Sequence, residues 1–214
     1  MSKVYPIIFV LDCSGSMHGA PIKVINESMQ KLLEYLGNDD CDVTIKVGVL
    51  AFSNEAKWLT NGLIDINMFS FEKLEAGGLT SLGAAIAELS ISMRHEFFTT
   101  DDSIDIAMPI IIFMTDGEAT DNWESEINKA DVNYWMKQSA KIALGFNCAN
   151  EDCLYKLVKN REAVIMVENE EQIGELLDKL FYFSCVDGCS LIDSSPIKKS
   201  SRIANNVIST LEWE

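Results

Sequence analysis

A carboxylate and two hydroxyls stand two residues apart at Asp12, Ser14 and Ser16, directly after an apolar run from Tyr5 to Leu11. Oxygen donors of this kind are hard ligands, suited to Mg²⁺, Mn²⁺ or Ca²⁺ rather than to zinc or copper. Taken singly, Ser14 or Ser16 can instead cap a helix N-terminus, since a helical pattern begins soon afterwards. The surroundings bear on the choice. Ile7, Ile8, Phe9, Val10 and Leu11 in succession read as a strand buried on both faces. Ligands of open α/β sheets bind beyond the C-terminal ends of such strands.

The elements that must position this loop follow in order. Ile22, Val24, Ile25, Met29, Leu32, Leu33 and Leu36 recur at helical spacing. Pro21 suits the first turn of that helix, and Gly37-Asn38-Asp39-Asp40 stops it. Its N-terminus then points toward Ser14 and Ser16. Alternation of Val43, Ile45, Val47, Val49 and Ala51 predicts a strand over 42–53, with a short partner strand at 56–59. Residues 64–74 read as loop and short helix. The loop Gly77-Gly78-Leu79-Thr80 leads into one helix over 82–98. Strands are predicted at 109–115, 140–146 and 163–167, and helices at 123–136, 151–159 and 170–183. Strands alternating with helices imply a doubly wound α/β fold, a mainly parallel sheet with helices on both faces.

Three pieces of sequence then carry a resemblance. Asp12-x-Ser14-x-Ser16 follows the first strand, Thr80 lies in the later Gly-rich loop, and Asp116 ends the run Ile110-Ile111-Ile112-Phe113-Met114-Thr115. Together, in that order, they resemble the metal-ion-dependent adhesion site (MIDAS) of von Willebrand factor A (VWA) domains. The resemblance covers about residues 4–184. It implies a VWA domain over 1–184, built on a six-stranded sheet with one antiparallel edge strand at 56–59. Residues 185–214 are left as a C-terminal tail, with a candidate short docked helix toward Trp213 and few apolar residues otherwise. A tail of that kind is expected to be dispensable for folding.

The resemblance also implies a function. Ser14, Ser16 and Thr80 are expected to touch a cation, and Asp12 and Asp116 to act directly or through water. In a sheet of this type Asp12 and Asp116 end adjacent strands, about 4.8 Å apart. Two bare carboxylates held that close repel each other, and a divalent cation removes the penalty. A few protein oxygens, several of them neutral, favour Mg²⁺ or Mn²⁺, and Ca²⁺ less. The cation would grip an Asp or Glu of a protein partner. Within the family the chain most resembles bacterial tellurium-resistance (TerY-like) VWA proteins. That implies a scaffold in a stress-response signalling system, with a protein kinase or phosphatase as the kind of partner.

Seventeen basic against 33 acidic residues give a formal charge of −16, which repels nucleic acid and anionic membranes. No apolar run approaches the roughly 20 residues a membrane span requires. Met1-Ser2-Lys3-Val4 leads straight into the first strand without a small-residue cleavage site, so a cytoplasmic location is expected. The six cysteines are then expected to be reduced. Cys148-x4-Cys153 and Cys185-x3-Cys189 could form a zinc site only if they met. A helix of some 14 residues ending before Cys185 spans about 21 Å and would set the pairs at opposite ends. His18, Glu118 and Asp121 read as solvated rim residues near the candidate site.

The rival reading is an enzyme, a metal-dependent phosphatase of the haloacid dehalogenase type, which also puts an Asp after its first strand. Such an enzyme needs a second Asp two positions on, where this chain has Ser14, and a lysine near the site. No phosphate-binding loop, Gly-x-Ser-x-Gly elbow or zinc-protease motif is present, so no catalytic residue is assigned.

Overall fold

The structure, a computed structural model, describes residues 3–36, 44–98, 103–116, 119–146, 149–167, 173–190 and 195–211. Strand β1 (Lys3–Asp12) is the centre of the sheet. On one side it pairs in parallel with β2 (Thr44–Phe52), from Val4 opposite Thr44 to Asp12 opposite Phe52. On the other it pairs in parallel with β6 (Ile110–Thr115), from Ile7 opposite Ile110 to Leu11 opposite Met114. Beyond β6 lie β7 (Ala140–Phe146) and β8 (Val164–Val167), both parallel. The antiparallel edge strand is β3 (Ala56–Trp58), folded back on β2. The main order is therefore β3-β2-β1-β6-β7-β8, a mainly parallel sheet with an antiparallel edge strand, as expected. Two short strands were not anticipated: β4 (Ile64–Asp65) adds a second antiparallel pairing to β2, and β5 (Asp105–Ile106) pairs with β1.

Pleating sorts the apolar residues of β1 between two layers. Ile7, Phe9 and Leu11 face α1 (Ala20–Leu36), α7 (Ile173–Ser190) and α8 (Pro196–Thr210), where Ile25, Met29, Leu177, Leu180, Phe181 and Ile203 are buried. Ile8 and Val10 face α2 (Leu82–Ser92), α4 (Trp123–Ala130) and α6 (Glu151–Val158), through Leu82, Ile86, Leu89, Ile127 and Leu154.

Several boundaries depart from the sequence reading. The helix expected over 82–98 breaks at Met93, giving α2 and α3 (His95–Phe98). The helix expected over 123–136 breaks before Asn133, giving α4 and α5 (Tyr134–Gln138). One side chain accounts for the second break. Asn133 Oδ1 accepts from Met136 N at 3.1 Å, capping α5. Its Nδ2 donates to the carbonyls of Ser90 and Met93 at 2.8 and 2.9 Å, at the end of α2. An Asn that satisfies two helix ends cannot also continue a helix. Helix α7, described from Ile173, runs on to Ser190, so Cys185 and Cys189 lie within it rather than after it; the expected start at 170 lies outside the described residues. The predicted stop at Gly37–Asp40 and the position of Cys148 fall outside the described residues.

Residues 196–210 take up the docked-helix alternative for the tail, and their burial weighs against its being dispensable. They form a 15-residue helix, α8, with Ser195 as N-cap and Pro196 in its first turn. Ile203, Ala204 and Val207 are fully buried and Leu211 nearly so, in the same core layer as α7. Asn160 ties the helix down from below: its Nδ2 donates to Ser200 Oγ and Ser201 Oγ at 2.9 Å each, and to the Ile197 carbonyl.

Candidate metal centre

Asp12 is the last residue of β1 and has no exposed surface. Asp116 follows β6 directly and is also buried. Because β1 and β6 are neighbours in parallel register, both carboxylates belong to the C-terminal edge of the sheet, at the point where the winding reverses. Both oxygens of Asp12 are engaged. Ser14 N–H donates to Oδ1 at 2.8 Å, and Thr115 Oγ1 donates to Oδ2 at 2.5 Å. Burial pushes the Asp12 carboxyl above its ordinary value, the hydrogen bonds from Ser14 and Thr115 pull it back, and the charge of Asp116 adds to the rise. A buried carboxylate with a second acid beside it is a place where positive charge is wanted.

The hydroxyls come from a turn rather than from helix capping. Ser14 precedes a 3₁₀ turn, Gly15–Met17, yet its side chain makes no capping bond. Its Oγ lies 3.1 Å from Ser16 Oγ instead. Ser14 is buried and Ser16 exposed, so the pair runs from the floor of the site to its mouth. Two ligands at right angles around an ion, each about 2.1 Å away, sit about 3.0 Å apart. The serine oxygens match that spacing. Among the described residues no three His, Cys, Asp or Glu side chains cluster to hold a metal, so any ion here depends on the hydroxyls. Cys13, between Asp12 and Ser14, donates its thiol to the Phe52 carbonyl at 3.2 Å, and burial raises it above the ordinary thiol range.

Thr80 is buried on a loop held from three sides by hydrogen bonds. Gly77 N–H donates to the Cys13 carbonyl at 2.8 Å and Gly15 N–H to the Gly78 carbonyl at 3.1 Å, joining this loop to the Asp12 loop. Thr120 N–H donates to the Thr80 carbonyl at 2.9 Å, joining it to the segment that follows Asp116. Asn54 Oδ1 accepts from Leu79 N at 2.9 Å, and Ser81 N–H donates to the Ser53 carbonyl at 2.8 Å, fixing it to the β2–β3 turn. Gly78 is required here. Its φ is +82°, and a Cβ would come within 2.8 Å of Asn54 Oδ1.

Thus Asp12 at the end of β1, Asp116 just after β6, and Ser14, Ser16 and Thr80 on the adjoining loops all lie at one sheet edge, where main-chain bonds join the loops to one another. Gly117 and Glu118 lie outside the described residues. His18 is exposed at the end of the serine turn. Asp121 is more than a solvated rim residue: its carboxylate accepts from Gly83 N and Ala84 N at 3.0 and 3.1 Å, closing the N-terminus of α2. Sequence reasoning also missed Thr115 and Asn54. Thr115 was signalled only by standing next to Asp116; Asn54 had no local signal.

The family model for the von Willebrand factor type A domain matches residues 7–179. This chain belongs to the VWA family. VWA domains are metal-dependent protein-interaction modules. Solved structures agree on the fold. Proximal thread matrix protein 1 from the mussel byssus, solved with a zinc-occupied MIDAS motif, is 17% identical with a TM-score of 0.64, covering 86% of this chain and 48% of that one. A von Willebrand factor type A protein from Catenulispora acidiphila is 18% identical with a TM-score of 0.59, covering 86% and 43%. The ArnB paralog VWA2 from Sulfolobus acidocaldarius is 19% identical with a TM-score of 0.59, covering 84% and 45%. This chain spans somewhat under half the length of these three. No helix among the described residues is long and apolar enough to cross a membrane.

Proposed function

We propose that this VWA domain is a protein-binding module whose Asp12, Ser14, Ser16, Thr80 and Asp116 hold one divalent cation. The observation that carries the reading is the 3.1 Å approach of the Ser14 and Ser16 hydroxyls beside a buried, desolvated carboxylate. Neutral oxygens and few carboxylates suit Mg²⁺ or Mn²⁺ better than Ca²⁺. Bound there, the cation supplies an electrophilic position for an anionic oxygen. An Asp or Glu of a partner protein is the matching group, best presented among basic residues because this chain is strongly acidic. Thr115 and the Ser14 N–H hold the Asp12 carboxylate in one orientation, so its lone pairs are aimed before an ion arrives.

The finer reading is a cytoplasmic scaffold of a bacterial stress-response or tellurium-resistance system, with a kinase or phosphatase of that system as partner. Its support is the Thr115-Asp116-Gly117-Glu118 string and the resemblance drawn from it. No observation favours the phosphatase alternative. The residue two after Asp12 is Ser14, and both Asp12 oxygens already accept hydrogen bonds, which is unlike a poised nucleophile. Calorimetry with Mn²⁺ tests the metal site. One site in the wild type and none in Asp12→Ala is expected, and equal binding by both would overturn the assignment. A pull-down with and without EDTA tests the partner role; partners captured equally in both would remove the cation from recognition.

A further inference from the structure

At the opposite edge of the sheet from Asp12, a cavity of about 360 Å³ opens between α5, the start of β7, the end of α6 and the first turn of α8. Its position follows from the register, in which Ala140 of β7 lies opposite Ile110, the first residue of β6. Lys137, Lys141 and Lys159 line it. Three lysines around one cavity stand out in a chain whose acids outnumber its bases by nearly two to one. Lys159 is paired with Asp131, which also lines the cavity. Lys137 and Lys141 have no ion-pair partner among the described residues. Lys141 is mostly buried and spends one donor on the Met136 carbonyl at 2.5 Å, and an ammonium has three. The first turn of α8 adds the positive end of a 15-residue helix and carries no acidic residue. The remaining wall is mixed, with an apolar part from Val158, Pro196 and Ile197 and the hydroxyl residues Ser139 and Ser200.

We propose that this cavity is a binding site for a phosphorylated small molecule. Its phosphate dianion would sit between Lys137, Lys141 and the α8 N-terminus, and its carbon skeleton against Val158 and Ile197. Each element of the wall has a part in that assignment. Three lysines against the single carboxylate of Asp131, with the positive end of the α8 dipole behind them, leave a net positive charge that matches a doubly charged anion. The volume suits a compound of metabolite size and not a folded macromolecule. Burial, reinforced by the nearby charge of Lys159, holds Lys141 down at about 8 against the opposing pull of Asp131, and an arriving anion offsets that cost. The site is independent of the cation at Asp12 and is tested with that cation removed.

The experiment is calorimetry on the full chain in EDTA with two probes, phenyl phosphate and inorganic phosphate. Wild type should bind phenyl phosphate in the millimolar range or better, and more tightly than inorganic phosphate, because only the ester can use Val158 and Ile197. Lys137→Glu, a change at an exposed side chain, should weaken phenyl phosphate by at least about tenfold. Lys141→Gln should do the same, with circular dichroism to verify its fold. Absence of phenyl phosphate binding at about 10 mM would overturn the proposal. So would binding indifferent to Lys137→Glu, and so would equal affinity for the two probes, which would leave the apolar wall without a role.

Discussion

Substituting Ile203 tests whether the end of the chain is part of the core. Ile203 is fully buried on α8, against the layer formed by α7 and the β-sheet. Truncation to Ala removes three buried carbons and leaves a cavity, which costs about 2–5 kcal/mol. For a domain of this size about 3 kcal/mol lowers Tm by roughly 6–12 °C. Ile197→Ala on the same helix is the control. Its side chain is 58% exposed, so the cost should stay within about 0.5 kcal/mol. Asn160→Ala removes the donor shared by Ser200, Ser201 and the Ile197 carbonyl, at about 1–3 kcal/mol. Both substitutions act through the docking of one helix, so the double variant should cost less than the two single losses combined. Thermal melts followed by circular dichroism provide the readout. An Ile203→Ala melt within about 1 °C of wild type would refute the docked helix and restore the dispensable tail.

Gly78→Ala should destabilise the protein by about 1–3 kcal/mol and weaken Mn²⁺ binding, because the residue adopts φ +82° against Asn54; wild-type values in both calorimetry and melting would show that the loop is not held as described. Thr80→Ala should keep most Mn²⁺ affinity and lose partner binding, since water can replace one neutral hydroxyl on the ion, whereas Asp12→Ala should lose both; a partner indifferent to Thr80→Ala would place its docking surface elsewhere. Lys141 has a folded value of about 8, below the 10.5 of the free side chain. The native protein therefore sheds this proton first, and stability contributed at this position rises with pH between about 8 and 10.5, with the full penalty of about 3 kcal/mol present below that window. Urea titrations from pH 7 to 10.5 should show a flatter profile for Lys141→Met than for wild type, and parallel profiles would refute the assignment.

The central strands were legible because β1 and β6 are buried on both faces and read as nearly continuous apolar runs, β7 is apolar apart from Lys141, and β2 alternates. The five candidate ligands were legible as residue types at expected places along the chain. What could not be read is what depends on distant partners. Asn133 ends a helix through carbonyls 40 and 43 residues away, and Thr115 reaches Asp12 across 103. Asp121 looked like acidic rim because the α2 amides it accepts from lie far back in sequence. Helix α8 was underrated for a different reason. Its apolar positions are few, and their weight comes from complete burial and from Asn160, which no local pattern signals.

The bonds that tie the Asp12, Thr80 and Asp116 loops together run mostly between main-chain atoms: Gly15 to Gly78, Gly77 to Cys13, Thr120 to Thr80 and Asn150 to Asp116. A frame written in backbone is separable from the chemistry displayed on it. The side chains at positions 16 and 80 can be exchanged without cutting one of these main-chain struts, whereas Asp12 also anchors Ser14 N–H and Thr115 Oγ1 and is less free to change. Taste for a particular ion and grip on a particular partner can therefore be altered in small steps, by redesign or by drift, on a scaffold that does not have to be rebuilt each time.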